Sequence, residues 1–136
     1  MSRIFHADDD LSDRWDFNHL IGSLDSRVEV LQFADGLELV QRLIHTEDDQ
    51  LPAAIILDLR MPIWDGIKTL KALKAEGRFT SIPVYMWSAA DSKNEMSLCL
   101  NMGAEKYIVK PSTDDQRLEA RIALAELLTK IENKLI

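Results

Sequence analysis

Apolar residues along this chain of 136 residues follow two alternating patterns. Short continuous apolar runs are typical of strands that are buried on both faces of a parallel sheet. Longer segments between them carry apolar residues at three- and four-residue spacing, as amphipathic helices do. The predicted strands are residues 3–7, 28–33, 53–57, 83–87 and 106–109. Strands that alternate with helices predict an α/β fold, in which right-handed crossovers build one five-stranded parallel sheet covered by helices on both faces.

Turn-forming and capping residues separate the predicted elements. Asp35-Gly36 and Gly103 stand where a turn or a helix end is required. Residues 112–115 supply a cap and acidic first-turn side chains for the last helix. The apolar stripe predicted for that helix consists of Leu118, Ile122, Ala125, Leu128 and Ile131. Because the chain contains no linker, repeat or low-complexity segment, we expect a single domain over residues 1–136 and no output domain.

Composition narrows the classes of function. The net charge of −7 argues against nonspecific binding of nucleic acid, because no basic stripe is available to neutralise phosphates. The single cysteine, Cys99, cannot form an internal disulfide. No signal-peptide core is present at the start of the chain, and no apolar stretch approaches the roughly 20 residues that span a bilayer. We therefore expect a cytoplasmic protein without membrane insertion.

Polar residues follow four of the predicted strands at the point where each strand ends. Asp58 ends the most apolar stretch of the chain, Asp8 and Asp9 follow the first strand, Ser88 the fourth and Lys110 the fifth. The carboxyl ends of parallel strands meet at one edge of a sheet, where open α/β sheets bind ligands. Converging carboxylates repel each other, and Mg²⁺ relieves that repulsion with the oxygen ligands that it prefers. A carboxylate can also act as a nucleophile that accepts a phosphoryl group.

Other residues near this edge have simpler interpretations. Asp10 is predicted to open the first helix, where an acidic side chain suits the helix dipole. The bond between Lys110 and Pro111 is a candidate for a cis peptide that fixes the direction of the lysine. His6 is expected to be a packed residue with no assigned role. The three tryptophans, of which two are expected to flank the site, are also interpreted as packing residues: Trp15, Trp64 and Trp87.

Several short segments, in order and at matching spacing, carry a resemblance to a known family. They are Asp8-Asp9-Asp10, Ala34-Asp35-Gly36, Leu57-Asp58-Leu59-Arg60-Met61-Pro62, Asp65-Gly66, Ser88-Ala89, Gly103-Ala104 and Tyr107-Ile108-Val109-Lys110-Pro111. Over essentially its whole length the chain resembles a response-regulator receiver domain of two-component signalling, of the stand-alone chemotaxis-regulator type. The resemblance implies a doubly wound, flavodoxin-like sheet with strand order 2-1-3-4-5.

The resemblance also implies roles for the residues at the metal. Asp58 would be the phosphoacceptor and a metal ligand, and Asp9 would bind the metal directly. Asp8 would act through metal-bound water, and Arg60 would offer its backbone carbonyl. The metal would be Mg²⁺, for which Mn²⁺ can substitute.

A second set of implied roles concerns the phosphoryl group and the switch. Lys110 would pair with the phosphoryl group, and Ser88 would move to bond it. Tyr107 would change between an exposed and a buried position as Ser88 moves. Ser88 stands where threonine is more usual, but the hydroxyl is retained, so the switch is expected to be retained as well.

The residues and the resemblance together leave three functions open. The leading one is a phosphorylation-dependent switch rather than an enzyme, which receives its phosphoryl group from a histidine kinase or histidine phosphotransfer protein. It would then act on an unknown downstream protein or pass the group on. A Mg²⁺-dependent hydrolase would place a second acid two residues after the nucleophile, where this chain has Arg60. A receiver that only binds partners would be expected to lack Asp58, Asp9 or Lys110, and all three are present.

Overall fold

The computed structural model describes residues 2–134 as five strands and five α-helices that alternate along the chain, with one short 3-10 helix. The strands are β1 (Arg3–Ala7), β2 (Glu29–Phe33), β3 (Ala54–Leu57), β4 (Val84–Ser88) and β5 (Lys106–Val109). The α-helices are α1 (Leu11–Leu24), α2 (Gly36–Ile44), α3 (Gly66–Ala75), α4 (Lys93–Asn101) and α5 (Asp114–Lys134), and the 3-10 helix is Asp48–Gln50. Every predicted strand is confirmed, with ends that differ by at most one residue.

The five strands form one sheet in the order β2-β1-β3-β4-β5, and every pairing is parallel. The predicted fold class and strand order are therefore confirmed. In this register Ala7 lies opposite both Phe33 and Leu57, and Ser88 lies opposite Val109. The residues that follow β1, β3 and β5 are thereby brought to the same edge as the last residue of β4.

Helices cover both faces of the sheet, which explains the continuous apolar character of the strands. Alternate strand residues point to opposite faces: Phe5 and Ile55 pack beneath α2, α3 and α4, whereas Ile4 and Ile56 pack beneath α1 and α5. All four of these side chains are fully buried. Within the described residues, no helix combines the length and the apolar character needed to cross a lipid bilayer.

The buried face of α5 differs from the predicted stripe. Leu128 and Ile131 are buried as expected, but Ala125 is exposed, and the exposed fractions of Leu118 and Ile122 are 60% and 51%. The residues buried against the sheet are Ala120, Ala123, Leu124, Leu127, Leu128 and Ile131. Both sets have helical spacing, so periodicity alone does not select the face, whereas small alanines allow a helix to lie close to a sheet.

The helices begin where polar caps predict. Asp10, Asp35, Asp65 and Ser92 each occupy an N-cap position, and each side chain accepts a hydrogen bond from the backbone N–H three residues later. At the start of α5, the hydroxyl of Thr113 accepts a hydrogen bond from the backbone N–H of Gln116 over 3.1 Å. The helix starts predicted at Asp10 and at residues 112–115 are confirmed.

Helix α3 starts in direct contact with the loop that follows β3. The backbone N–H of Gly66 donates to the carbonyl of Leu59 over 2.8 Å. A Cβ atom at Gly66 would collide with the carbonyl oxygen of Asp58 and would lie 2.8 Å from the Cα atom of Leu59. Because both obstacles are backbone atoms, only glycine fits here, and α3 fixes the loop behind Asp58.

Gly66→Ala should therefore lower the free energy of unfolding by about 1–3 kcal/mol, the usual cost of overpacking. Gly22 lies inside α1, and a Cβ there would meet nothing within 4 Å. The matched control Gly22→Ala should raise the free energy of unfolding by about 0.5–1 kcal/mol, because alanine favours helix more than glycine does. Urea unfolding of both variants checks the pair, and a neutral Gly66→Ala would contradict the packing argument.

Candidate functional site

The sheet register brings the candidate residues together at one edge. The backbone N–H of Asp8 donates to the carbonyl of Phe33, and that of Asp58 donates to the carbonyl of Ala7, both over 3.0 Å. The backbone N–H of Lys110 donates to the carbonyl of Ser88 over 2.8 Å. These bonds extend the ladders by one residue, so the positions of Asp8, Asp58 and Lys110 are set by the sheet itself.

Three carboxylates form the centre of the site. Asp8, Asp9 and Asp58 each offer one oxygen, and these oxygens lie within 4.8 Å of one another. Asp8 and Asp58 are buried, whereas Asp9 is exposed. The backbone N–H of Asp10 donates to Oδ1 of Asp8 over 3.0 Å, and the backbone N–H of Leu59 donates to Oδ1 of Asp58 over 2.7 Å. Carboxylate oxygens at this spacing, open to water on one side, fit a hard divalent cation such as Mg²⁺.

Lys110 supplies a positive charge between the acidic side chains. Its Nζ lies 2.7 Å from Oδ2 of Asp8, 2.7 Å from Oδ2 of Asp13 and 3.0 Å from Oδ2 of Asp58. Burial alone would lower the pKa of Lys110, but hydrogen bonds to Asp13, Asp8 and Asp58 outweigh it and raise that pKa. The ammonium group is therefore charged and is shared by three carboxylates.

Asp13 is a site residue that the sequence analysis missed. It lies in the first turn of α1, where its backbone N–H donates to the capping carboxylate of Asp10 over 2.9 Å. From this position the carboxylate of Asp13 accepts a hydrogen bond from Nζ of Lys110 over 2.7 Å. The only signal in the sequence was an acidic residue three positions after the N-cap. Acidic residues are common in the first turn of helices, so this signal did not indicate a site.

Asp8 binds protons more tightly than an ordinary carboxyl group. Burial raises the pKa of Asp8 to about 6, although hydrogen bonds from Lys110 and from the backbone N–H of Asp10 oppose the shift. Repulsion from the carboxylate of Asp58 adds to the rise. Neutral pH is only slightly above this pKa, so Asp8 is mostly ionised, and a nearby cation would stabilise its buried charge.

Ser88 and Tyr107 meet at the backbone of one residue, Ala90. The backbone N–H of Ala90 donates to Oγ of Ser88 over 3.2 Å, and the hydroxyl of Tyr107 donates to the carbonyl of Ala90 over 2.6 Å. Both side chains are buried, and burial raises the pKa of Tyr107. The loop after β4 therefore connects a hydroxyl at the site with an aromatic side chain on β5.

An open cavity of about 520 Å³ leads from solvent to Asp58 and Lys110. Arg60 lies on its rim and is exposed, and its guanidinium donates to both carboxylate oxygens of Glu95 on α4, over 2.9 and 3.1 Å. The other lining residues are Asp9, Asp10, Asp13, Ser88, Ala89, Ala90, Asp91 and Ser92. The cavity thus gives a charged ligand direct access to the buried carboxylate of Asp58.

The expected cis peptide bond is absent. No peptide bond between residues 2 and 134 is cis, so the bond between Lys110 and Pro111 is trans. The direction of the lysine is set by its ion pairs with three carboxylates and by the hydrogen bond from its backbone N–H to the carbonyl of Ser88. Proline isomerism plays no part.

The expectations for the tryptophans are met in part. Trp87 is buried in the core, where it packs edge-on against Phe17 with ring centres 5.5 Å apart, and Trp64 packs against the other core cluster, as predicted, although neither residue lines the cavity. Trp15 is not a core residue: its exposed fraction is 64%, and its ring stacks on His19 at the surface of α1.

Comparison with known proteins agrees with this geometry. The family model of the response regulator receiver domain matches residues 4–123. The transcriptional regulatory protein PrrA of Mycobacterium leprae is 33% identical over 107 residues, which are 79% of this chain and 39% of PrrA. The chain therefore spans about two-fifths of the length of that relative. The chemotaxis protein CheY1 of Helicobacter pylori is 33% identical over 85 residues, 62% of this chain and 66% of CheY1.

Solved structures with the same fold extend the comparison. The phosphorylated cyanobacterial phytochrome response regulator RcpA superposes with a TM-score of 0.81 at 23% sequence identity. The superposition covers 92% of this chain and 91% of RcpA. At this identity the likeness establishes the shared fold.

The raised pKa of Asp8 generates a pH test of the metal site. Above pH 7 Asp8 is mostly ionised, so the dissociation constant for Mg²⁺ should be nearly constant from pH 8 to 7. Below pH about 6 Asp8 is mostly protonated, and a cation that needs the ionised carboxylate must first displace the proton. The dissociation constant should then rise by up to about tenfold per pH unit as the pH falls below 6. Calorimetric Mg²⁺ titration between pH 5 and 8 measures this.

The matched variants for that titration are Asp8→Asn and Asp91→Asn. Both remove one negative charge, but Asp91 lies on the exposed rim of the cavity. Asp8→Asn should bind Mg²⁺ weakly and lose the pH dependence between pH 5 and 6, whereas Asp91→Asn should keep it. A dissociation constant that does not change between pH 7 and 5 in the unmodified protein would exclude Asp8 from the metal site.

Proposed function

Because this chain belongs to the response regulator receiver domain family, we propose that it is a Mg²⁺-dependent signalling switch whose phosphoacceptor is Asp58. The observation that carries this proposal is the position of the Asp58 carboxylate. It lies at the inner end of the open cavity, beside Asp8 and Asp9 and 3.0 Å from the ammonium group of Lys110. A phosphoryl group that enters this cavity meets a nucleophile, a cation site and a positive charge together.

The proposed reaction is a transfer between two covalent carriers. A carboxylate oxygen of Asp58 attacks the phosphorus of a phosphohistidine, an O–P bond forms, and the P–N bond of the donor breaks. The electron pair of that bond returns to the imidazole of the donor, so the transfer needs no oxidant or reductant. The product is an acyl phosphate, which water can hydrolyse and so reset the switch.

The residues around Asp58 balance the charge during this transfer. We assign Asp9, Asp58 and the backbone carbonyl of Arg60 as Mg²⁺ ligands, with Asp8 acting through metal-bound water. Bound there, Mg²⁺ would neutralise part of the negative charge on the phosphoryl oxygens. Lys110 already contacts Asp58 and can turn to a phosphoryl oxygen. Mn²⁺ has similar ligand preferences and can substitute.

The phosphoryl donor is proposed to be a histidine kinase or a histidine phosphotransfer protein in the cytoplasm. The output is proposed to be a change in binding to another protein, rather than turnover of a substrate. The similarity to both a transcriptional regulatory protein and a chemotaxis protein is consistent with a common switch that serves different outputs.

The hydrolase alternative lacks support in the site. Such an enzyme needs an acid near the leaving group, but the residue two positions after Asp58 is Arg60, which pairs with Glu95. His6 lies behind Asp8 and is fully buried, and burial together with the charges of Lys110 and Arg14 lowers its pKa to about 3. A neutral ring in that position cannot serve as a general acid at neutral pH.

The phosphoacceptor is tested with acetyl phosphate as donor. Intact mass should show one added phosphate in the presence of Mg²⁺, none in the presence of a chelator, and loss of the adduct with hydroxylamine. Asp58→Asn should give no adduct, whereas the matched control Asp91→Asn should still be modified. An adduct of equal yield on Asp58→Asn would refute the assignment.

The coupling between site and surface is tested with Ser88→Ala. Bonding of the Ser88 hydroxyl to a phosphoryl oxygen should draw Ala90 along, because Ala90 bonds to both Ser88 and Tyr107. A hydroxyl contact with a charged group contributes about 1.5–3 kcal/mol, enough to shift a two-state population about tenfold or more. Ser88→Ala should still be phosphorylated at Asp58, but its response in residues 90–107 should be much smaller.

The measurement for Ser88→Ala is NMR with and without beryllofluoride, which imitates a phosphoryl group. Ser88→Thr retains the hydroxyl and is the matched control, so its shifts in residues 90–107 should resemble those of the unmodified protein. Equal shifts in Ser88→Ala would show that the hydroxyl does not carry the signal, even where phosphorylation of Asp58 is intact.

A further inference from the structure

A buried polar side chain stands directly behind the acidic centre. His6 lies on β1 two residues before Asp8, so both side chains point to the same face of the sheet. The imidazole is fully buried and packs on Phe17, with ring centres 4.3 Å apart. The proposed phosphotransfer makes no use of this residue. A buried polar ring is costly unless its nitrogens form hydrogen bonds. The partners of Nδ1 and Nε2 therefore indicate the role of His6.

Gln32 on the neighbouring strand fixes the tautomer of His6. The amide nitrogen of Gln32 donates to the backbone carbonyl of Arg14 over 2.7 Å, and a carbonyl can only accept, so the amide orientation is determined. The same nitrogen lies 3.0 Å from Nδ1 of His6. Nδ1 must therefore accept a hydrogen bond, and the neutral ring carries its proton on Nε2.

That Nε2–H group faces the innermost carboxylate of the site. Nε2 of His6 lies 3.9 Å from Oδ2 of Asp8, and both side chains are fully buried. Nε2 of His6 has no hydrogen-bond partner among the described residues, and Oδ2 of Asp8 contacts the ammonium group of Lys110, whose Nζ lies 2.7 Å away. Because 3.9 Å is longer than a hydrogen bond, the carboxylate has to move towards the ring before Nε2 can donate to it.

We infer that Gln32 and His6 form a buried relay that positions Asp8 for the cation, with the Nε2–H of His6 as the donor to the inner oxygen of Asp8. The inference rests on the proposed function, because it concerns the moment at which Lys110 turns towards a phosphoryl group on Asp58. Asp8 then loses its nearest positive charge while it is still buried. The Nε2–H of His6 stabilises the ionised carboxylate and keeps its outer side directed towards the metal, as hydrogen-bonded outer residues do in other metal sites.

The simpler interpretation is that His6 is a core residue whose only partner is Gln32. The two interpretations differ in what the cation does to the ring. If His6 is only a packed core residue, Mg²⁺ should not change the environment of its Nε2. If Nε2 donates to Asp8, its environment should change when the Asp8 carboxylate changes partners. They also differ in whether removal of the ring affects Mg²⁺ affinity in a protein that remains folded.

The first experiment needs no variant. Long-range ¹H–¹⁵N NMR of the three histidines should show the proton of His6 on Nε2 at pH 7.5. Addition of Mg²⁺, and then of beryllofluoride, should shift the Nε2 resonance of His6 and leave those of His19 and His45 unchanged. A proton on Nδ1, or an Nε2 resonance that ignores both additions, would overturn the inference.

The second experiment is a double-mutant cycle measured by Mg²⁺ titration at pH 7.5. His6→Phe keeps an aromatic ring against Phe17, and Gln32→Met keeps the length of the side chain without its donor. Each should weaken Mg²⁺ binding by about tenfold, the lower end of what outer-shell partners contribute. The double variant should be no weaker than His6→Phe alone, because Gln32 acts through His6. His19→Phe makes the same substitution at an exposed ring and should change nothing.

The outcomes separate the inference from the proposed function. If folded His6→Phe binds Mg²⁺ as the unmodified protein does, the relay is wrong, even though Asp58 still accepts a phosphoryl group. Additive effects of the two substitutions would equally contradict a relay through His6. If the unmodified protein neither binds Mg²⁺ nor becomes phosphorylated, the proposed function itself fails. If His6→Phe does not fold, Gln32→Met and the NMR of the unmodified protein still decide.

Discussion

The structure of this site depends on the repulsion between carboxylates that the sheet forces together. Asp8 and Asp58 are buried at the ends of two neighbouring strands, and Asp9 brings a third carboxylate within 4.8 Å. Isolated charges in such a place would cost several kcal/mol each. Lys110 offsets part of this cost, but burial, with a smaller contribution from the charge of Asp58, still raises the pKa of Asp8. The negative charge that remains at the site favours cation binding.

The backbone maintains this arrangement against the repulsion. Ladder bonds fix the residues that follow β1, β3 and β5, while Gly66 holds the loop after Asp58 against the start of α3. The guanidinium of Arg14 donates to the backbone carbonyl of Asp8 over 2.6 Å, so α1 also restrains the strand end. Because these contacts involve backbone atoms, the strand ends that carry the carboxylates cannot move apart. Bound protons or cations are therefore the main means by which the repulsion is relieved.

Features that follow from the order of strands and helices could be predicted from the sequence. Features that depend on how individual side chains pack were missed. Strand periodicity and strand-end polar residues were sufficient for the α/β class and for the convergence of Asp8, Asp58, Ser88 and Lys110, whereas the strand order came from the family resemblance. Asp13 was missed because its contact with Lys110 joins a helix to a strand end 97 residues later, and no spacing rule predicts such a contact. The buried face of α5 was wrong in part because two apolar stripes share the helical period, and only contact with the sheet distinguishes them.

The charges around Lys110 explain how one local event can affect the whole site. A single ammonium group is shared by Asp8, Asp13 and Asp58, so any new anion beside Asp58 competes with three existing partners. In the proposed switch, movement of the lysine towards a phosphoryl oxygen would remove a positive charge from Asp8 and Asp13 at the same time. Asp13 is partly exposed and water can replace the lysine there, whereas Asp8 is fully buried and needs a cation or a protein donor. The different burial of these two carboxylates is thus the physical argument for a role of His6 and Gln32 behind Asp8.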